Sequence, residues 1–302
     1  MKAEEEGKTK KMGPKLHEIL KTRNARTIFS QIIIVLILSM GGTIFLAPFL
    51  WMVSVSLSSS ANLGVSFPLR WIPHDLGLIN YKMLFANVPM LRYYLNSLIV
   101  TGASSILRVF FSCLAGYAFA KGRFPGQKVL LILVLASMMI PMEITMIPLF
   151  LFFRKIGLMN SYTGIILPSI VYAFGIFLAT QFMKKIPSEL LEAARMDGCN
   201  EFWIFSRIVL PLSGPLVSTL IILSFMDSWN DLLWPLIIIN QYEKYTVTLG
   251  LAMISAQAGG ETLPLVGTGM ASTVIAVMPV ILIFLALQKY FVKGITMTGL
   301  KG

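Results

Sequence analysis

Charge is what this sequence has least of: only 13% of its residues are Asp, Glu, Lys or Arg, and 56% are hydrophobic. Soluble globular chains carry roughly 25% charged residues, so an ordinary water-soluble domain is excluded. Cysteine is nearly absent. Cys113 lies in an apolar run and Cys199 in a polar connection, which leaves no disulfide framework and no metal-ligand spacing. Histidine is equally scarce, and His17 and His74 stand on opposite sides of the first long apolar run, which argues against a histidine metal site. A Walker-type GxxxxGK[ST] loop is missing too. Gly7-Lys8-Thr9 is the nearest approach, but Lys2 occupies the place of the first glycine and no strand precedes it. No nucleophile–base–acid set stands out either, so the chain reads as having no catalytic residues, no metal and no cofactor of its own.

What is present is apolar sequence in long runs, with a mean hydropathy of +0.77. A membrane span needs about 20 mostly apolar residues. Six stretches qualify: Ile32–Val53, Asn96–Ala118, Val129–Phe152, Tyr162–Phe182, Leu212–Ile237 and Thr268–Leu287. No charge occurs between Arg26 and Arg70, between Lys155 and Lys184, or between Glu261 and Lys289. The first run exceeds the roughly 7–15-residue core of a signal peptide, so it reads as an uncleaved span rather than a cleaved leader. The fold class expected is therefore all-α, a polytopic membrane protein with six transmembrane helices. A basic tail over 1–27 precedes a membrane domain over 28–302.

The net charge of +11 does not point to nucleic acid, because the basic residues sit between apolar runs instead of among stacking aromatics. Their distribution sets topology. Eighteen Lys and Arg fall in the N-terminal tail, the second and fourth connections and the C-terminal tail, against six in the first, third and fifth connections. The positive-inside rule then places both termini in the cytoplasm of a multi-pass plasma-membrane protein. Residues Lys15–Lys21 suit either a short amphipathic helix on the inner leaflet or a plain solvated tail. Two long outer connections, 58–94 and 240–267, carry Pro68, Pro73 and Pro89 in one and Gly259, Gly260 and Pro264 in the other. Loops of this length are usually functional.

The fourth connection, over 187–211, holds the densest local signals. Ser188 is placed to cap a helix whose first turn bears Glu189 and Glu192, acids suited to a positive helix end. Gly198 supplies a left-handed stop. Asn200 is placed to cap a second short helix with Phe202, Trp203 and Phe205, and Pro211 and Pro215 suit the start of the next span. Helix chemistry alone leaves two readings: a knob for a protein cleft, or an interfacial hairpin resting on lipid headgroups.

The spacing adds to this. Glu192-Ala193-Ala194, three residues, Gly198, nine residues, then Ile208-x-Leu210-Pro211 resembles the cytoplasmic signature of binding-protein-dependent ABC importer permeases at every defined position, between the fourth and fifth spans. Asn96-Ser97, Gly116-Tyr117-Ala118-Phe119-Ala120, Arg123-Phe124-Pro125-Gly126, Ile140-Pro141, Trp229-Asn230-Asp231 and the tail from Gly294 extend the likeness over most of the chain. It resembles most the second permease of maltose-type carbohydrate importers, although Leu191 stands where glutamate is more frequent. The resemblance implies a type I ABC importer permease fold. It implies that Glu192, Ala193, Ala194, Asp197, Gly198, Phe202 and Pro211 couple to a separate nucleotide-binding ATPase dimer, which would bind the ATP and Mg. A second permease subunit, an extracytoplasmic solute-binding protein and a sugar substrate are the other partners it implies. The outer segment around Ser255–Pro264 resembles the one that enters the binding protein's cleft.

Charges inside the spans are the other candidates. Arg108, Glu143, Asp227 and Asp231 would each cost about 2.5–3.5 kcal/mol facing lipid at a helix centre, so they should face protein or a wet cavity. Asp227, Asp231 and Trp234 fall on one face of a continuous helix, beside Asn230 and Trp229. Carboxylates, an amide and indoles suit a sugar path. Glu143, Asp227, Trp229, Asn230 and Asp231 are accordingly substrate-path candidates. The plainer alternative pairs Arg108 with one of the acids and gives Asn230-Asp231 to capping or kinking a broken helix. An ion-coupled secondary transporter using these acids is the rival function, but it leaves the fourth connection unexplained. The 18 methionines, Met138, Met139, Met142 and Met146 among them, suit adaptable packing.

Overall fold

The computed structural model describes residues 14–61, 71–73, 75–257 and 265–299. The basic residues before Pro14, His74, most of the Ser255–Pro264 segment and the last three residues lie outside them. The described residues are helical, with no strand and one isolated bridge, Ser58 to Leu76. Bilayer interiors require this, because a helix satisfies its backbone groups internally.

The helices in chain order are α1 (Pro14–Ser56), α2 (Ile79–Asn87), α3 (Met90–Lys121), α4 (Gln127–Ser137), α5 (Met142–Lys155), α6 (Tyr162–Ser169), α7 (Ala173–Met183), α8 (Ser188–Met196), α9 (Glu201–Ile204), α10 (Leu210–Leu212), α11 (Gly214–Asn230), α12 (Leu233–Ile238), α13 (Val247–Gln257) and α14 (Leu265–Gly299). Three have stretches long and apolar enough to cross a bilayer: Ile28–Ser56, Met90–Lys121 and Val266–Ala286. Three more crossings are bent pairs, which brings the number to six when each pair is one span. Helix α1 runs from Pro14 without a break, so Lys15–Lys21 and the first span share one helix.

Three of the six spans are bent. The third span breaks between α4 and α5 by 98°. Pro141, extended at φ −60° and ψ 138°, starts α5 and has no N–H to carry α4 onward. The fourth bends 44° between α6 and α7. There Pro168 lacks the donor for the Gly164 carbonyl, and the buried Trp234 indole Nε1 fills that place at 2.9 Å. The fifth enters through 201–212 and turns 82° into α11. It ends at Asn230 rather than Ile237, because Asp231 is extended at ψ 121°. The Trp229 carbonyl orphaned by that ending accepts from Thr248 Oγ1 at 2.7 Å.

Helix α3 is the axis of the bundle. Gly116 lets it meet α7 backbone to backbone: a Cβ there would lie 2.3 Å from the Ala179 Cβ and 2.9 Å from its carbonyl carbon. Val109, Cys113, Tyr117, Ala179, Met183 and Leu220 close the core between α3, α7 and α11. By contrast α1 is lined with exposed Ile, Leu and Phe, the surface expected of a helix facing lipid.

The end of the bundle away from the 187–211 connection is tied by buried amides. Asn96 Nδ2 donates to the Glu243 and Tyr245 carbonyls, 2.9 Å each, while its Oδ1 accepts from Tyr162 Oη at 2.6 Å. Ser97 Oγ accepts from Val247 N at 2.8 Å. Asn160, left-handed at φ 53°, accepts with Oδ1 from the Asn240 and Gln241 amides. The two long connections are thus less loop-like than their composition suggests. The first contains α2 and the first turn of α3, and the second contains α13 with Val247 and Leu249 fully buried.

Candidate functional site

The 187–211 connection folds as a helical hairpin. Pro187, not Ser188, occupies the cap of α8. Ser188 is already in the helix, and its Oγ lies 3.2 Å from Lys121 Nζ. Glu189 sits in the first turn as expected, but Glu192, expected there too, lies beyond it. The helix closes on Gly198 at φ +82°, with Gly198 N donating to the Arg195 carbonyl and Cys199 N to the Ala194 carbonyl. Asn200 caps α9 as read from the sequence, its Oδ1 accepting from Trp203 N at 2.8 Å. After Ile204 the backbone widens into a π-turn over Phe205–Val209 before α10, a form that often marks functional sites.

One side of the hairpin is buried and the other is open. Leu191, Ala194, Ile204 and Phe205 enter the core, with Leu191 1% exposed. Leu190, Met196, Phe202 and Trp203 face outward, Met196 at 88% exposure. Glu192, Ala193, Asp197, Gly198 and Pro211 are exposed around them. Of the residues assigned to ATPase coupling, Ala194 is the buried one. Acids and bases both border the apolar tip, with Glu192, Asp197, Arg195 and Arg207 all exposed.

Between the hairpin and the end of α3 lies a cleft of about 670 Å³, lined in part by Lys121, Arg123, Glu192, Arg195, Glu201 and Phe202. Arg195 crosses the glycine turn to Glu201, Nε to Oε1 at 2.7 Å, and this carboxylate holds the guanidinium above its ordinary pKa. Tyr117 Oη donates to Glu201 Oε2 at 2.6 Å. Lys121 Nζ donates to the Ile186 carbonyl. Tyr117 and Lys121 escaped sequence reasoning. The first stood inside a quoted motif without a role and the second counted only as a topological charge. Their spacing of four on one helix face was the available signal.

Of the charges within the spans, Arg108 pairs with Asp227, and Asp231 lies within electrostatic reach of both. Arg108 is buried and binds Asp227 through Nη1, donates Nε to the Ser169 carbonyl at 2.8 Å and lies 5.4 Å from the Tyr172 ring centroid. This is the pairing alternative, and it fastens α3 to α11 at the α6–α7 break. Asp227 and Trp234 do not share a continuous helix face through Asp231, because α11 ends between them. Asp231 is half-buried and accepts weakly from Trp234 N at 3.4 Å, as a helix-starting cap would. Trp229 turns inward at 2% exposure, stacks on Phe225 at 5.3 Å and donates Nε1 to the Ala276 carbonyl, so its indole is part of the packing. Asn230 and Glu143 are exposed, Glu143 in the first turn of α5 just after the bend. No group of three His, Cys, Asp or Glu that could hold a metal occurs among the described residues.

A family profile described as "Binding-protein-dependent transport system inner membrane component" matches residues 108–297. The Bacillus subtilis (strain 168) arabinooligosaccharides transport system permease protein AraQ is 38% identical over 90% of this chain and 96% of its own length. The lactose transport system permease protein LacG of Rhizobium radiobacter is 32% identical over 85% of this chain and 92% of its own. Among solved structures, a chain of a bacterial ABC transporter involved in import of the acidic polysaccharide alginate superposes with a TM-score of 0.75 at 26% identity, covering 88% of this chain and 98% of that one.

Proposed function

This chain belongs to the binding-protein-dependent transport system inner membrane component family, as a permease subunit of an ABC importer, and we propose that it carries sugar or oligosaccharide across the plasma membrane with a second permease. ATP hydrolysis then belongs to a partner, a dimer of nucleotide-binding subunits on the cytoplasmic side, with both termini of this chain on that side. An extracytoplasmic solute-binding protein delivers the cargo. Relatives named for arabinooligosaccharides and lactose support a saccharide as cargo.

The observation that carries the coupling part of this reading is the hairpin tip. Leu190, Met196, Phe202 and Trp203 leave an apolar knob uncovered in water, which a partner groove would bury. Glu192, Asp197 and the exposed turn at Gly198 flank the knob and give the contact its polarity. Ala194 packs inward, so it supports the hairpin from beneath.

For the path itself, Glu143, Asn230 and Asp231 are the groups that support sugar contact best. Among the described residues Glu143 and Asp231 form no ion pair, whereas Asp227 is paired with Arg108. Glu143 on an uncovered apolar helix demands water or a second subunit against it. Reconstitution with a second permease, the ATPase and a binding protein, followed by uptake of a panel of labelled sugars, tests the reading. Glu143→Ala and Asp231→Ala should each cut uptake at least about tenfold, the weight of one charged hydrogen bond, while the complex still assembles. Wild-type uptake in both discards the path assignment, and failure of the wild-type chain to retain an ATPase discards the permease reading.

A further inference from the structure

Two routes lead from the hairpin into the membrane, and they differ in stiffness. The covalent route passes through the π-turn at Phe205–Val209 and an 82° bend at Ser213 before reaching α11. A π-turn and a bend both interrupt the regular helical ladder. The side-chain route is short and direct. Lys121 holds the entrance of the hairpin by the Ile186 carbonyl and Ser188 Oγ. Four residues away on the same face of α3, Tyr117 holds the second hairpin helix, through Glu201 Oε2 at 2.6 Å and through ring contact with Phe205 at 5.8 Å. Arg195 locks α8 to α9 across Gly198 through the same Glu201 carboxylate. The mount is therefore a triangle: both ends of the hairpin are fixed to α3, and its two helices are fixed to each other.

What lies behind the mount is rigid as well. Gly116, next to Tyr117, allows α3 and α7 to touch through backbone atoms, so neither slides without the other. We infer that Tyr117, through Glu201, is the positioning residue by which displacement of the hairpin is passed to α3 and α7 as one body, while the bend before α11 absorbs the rest. This rests on the permease reading above and adds to it the element that moves first. The phenol hydroxyl supplies a single directed bond to a carboxylate that already serves Arg195. Removing it leaves the hairpin folded on its apolar contacts with the core but without that directed link to α3.

Hydrogen exchange of the complete transporter in lipid nanodiscs, nucleotide-free against ATP–vanadate, tests this without knowledge of the cargo. In the wild type, nucleotide should change exchange both in the hairpin (188–204) and at the end of α3 (113–121). Tyr117→Phe keeps the ring on Phe205 and removes only the donor. Its hairpin should still respond, while the response of 113–121 falls roughly tenfold, the weight of one hydrogen bond to a charged acceptor. Glu201→Ala removes the acceptor of the same bond from the exposed side and should show the same separation. An α3 response equal to wild type in both variants overturns the inference, as does a wild type whose hairpin responds while 113–121 does not. If no ATPase subunit is retained, or the wild-type hairpin ignores nucleotide, the permease reading itself falls. A merely structural loss would raise exchange equally with and without nucleotide.

Discussion

The two ends of this bundle are fastened by different chemistry. At the far end, Asn96 and Ser97 are buried and bond mainly to backbone carbonyls and amides more than a hundred residues away. At the hairpin end, the ties start from charged or phenolic side chains, and Arg195 and Glu201 remain 41% and 59% exposed. A buried amide that loses its partners pays the full cost of desolvation, whereas exposed pairs exchange readily with water. The first arrangement is a brace and the second a joint. A transporter needs both: one end that keeps register while the other is pushed.

The largest effect should come from breaking the brace. Asn96→Leu orphans the Glu243 and Tyr245 carbonyls and the Tyr162 hydroxyl together. Buried unsatisfied groups cost about 1–3 kcal/mol each, so a loss of about 3 kcal/mol or more is expected. Thermal unfolding of the purified chain in mild detergent should show it as a steep fall in midpoint. A midpoint within a degree or two of wild type would mean that the far end is no brace.

A middle-sized effect is expected at the joint. Gly198 sits at φ +82° with open space where a Cβ would stand, so Gly198→Val meets backbone strain rather than a clash. That strain is about 1–2 kcal/mol, and it falls on an exposed turn. The unfolding midpoint should shift only slightly, while recovery of the ATPase subunit in pull-down drops. Gly198→Asn, which tolerates the left-handed region, should restore most of it. If Gly198→Val destabilises the chain as much as Asn96→Leu, the two ends are not different in kind.

The same contrast explains what was legible beforehand. The hairpin is local chemistry. A left-handed glycine, an Asn cap and a spaced motif all act within a few residues, so each is visible in one sequence. Even there Ser188 was misplaced by one position, because Pro187 already supplies the extended cap geometry and the Ser188 hydroxyl serves Lys121 instead. The brace is non-local. Nothing in the sequence around Asn96 says that its amide will meet residues 243 and 245. The helix breaks are partly legible, since Asn230-Asp231 suits the capping or kinking of a broken helix. Carrying one helical face from Asp227 to Trp234 failed because Asp231 turns extended and Thr248 rewards the ending. Trp229 was assigned to the path by residue type, and packing against Phe225 and Ala276 decided otherwise.

The smallest effect sharpens the brace to a single bond. Pro168 removes the donor that the Gly164 carbonyl would have had in a continuous helix, and the Trp234 indole supplies it from α12. Trp234→Phe keeps an aromatic edge against Phe153, whose ring centroid is 5.6 Å away, and loses only the N–H and some volume. About 1 kcal/mol of stability should go with it. Pro168→Ala restores the backbone donor and makes the indole bond redundant. In that background Trp234→Phe should cost measurably less, a coupling of about 0.5 kcal/mol or more in a double-mutant cycle of unfolding free energies. Equal costs in both backgrounds would show that the indole acts by packing alone and that the bend at α6–α7 needs no partner to hold it open.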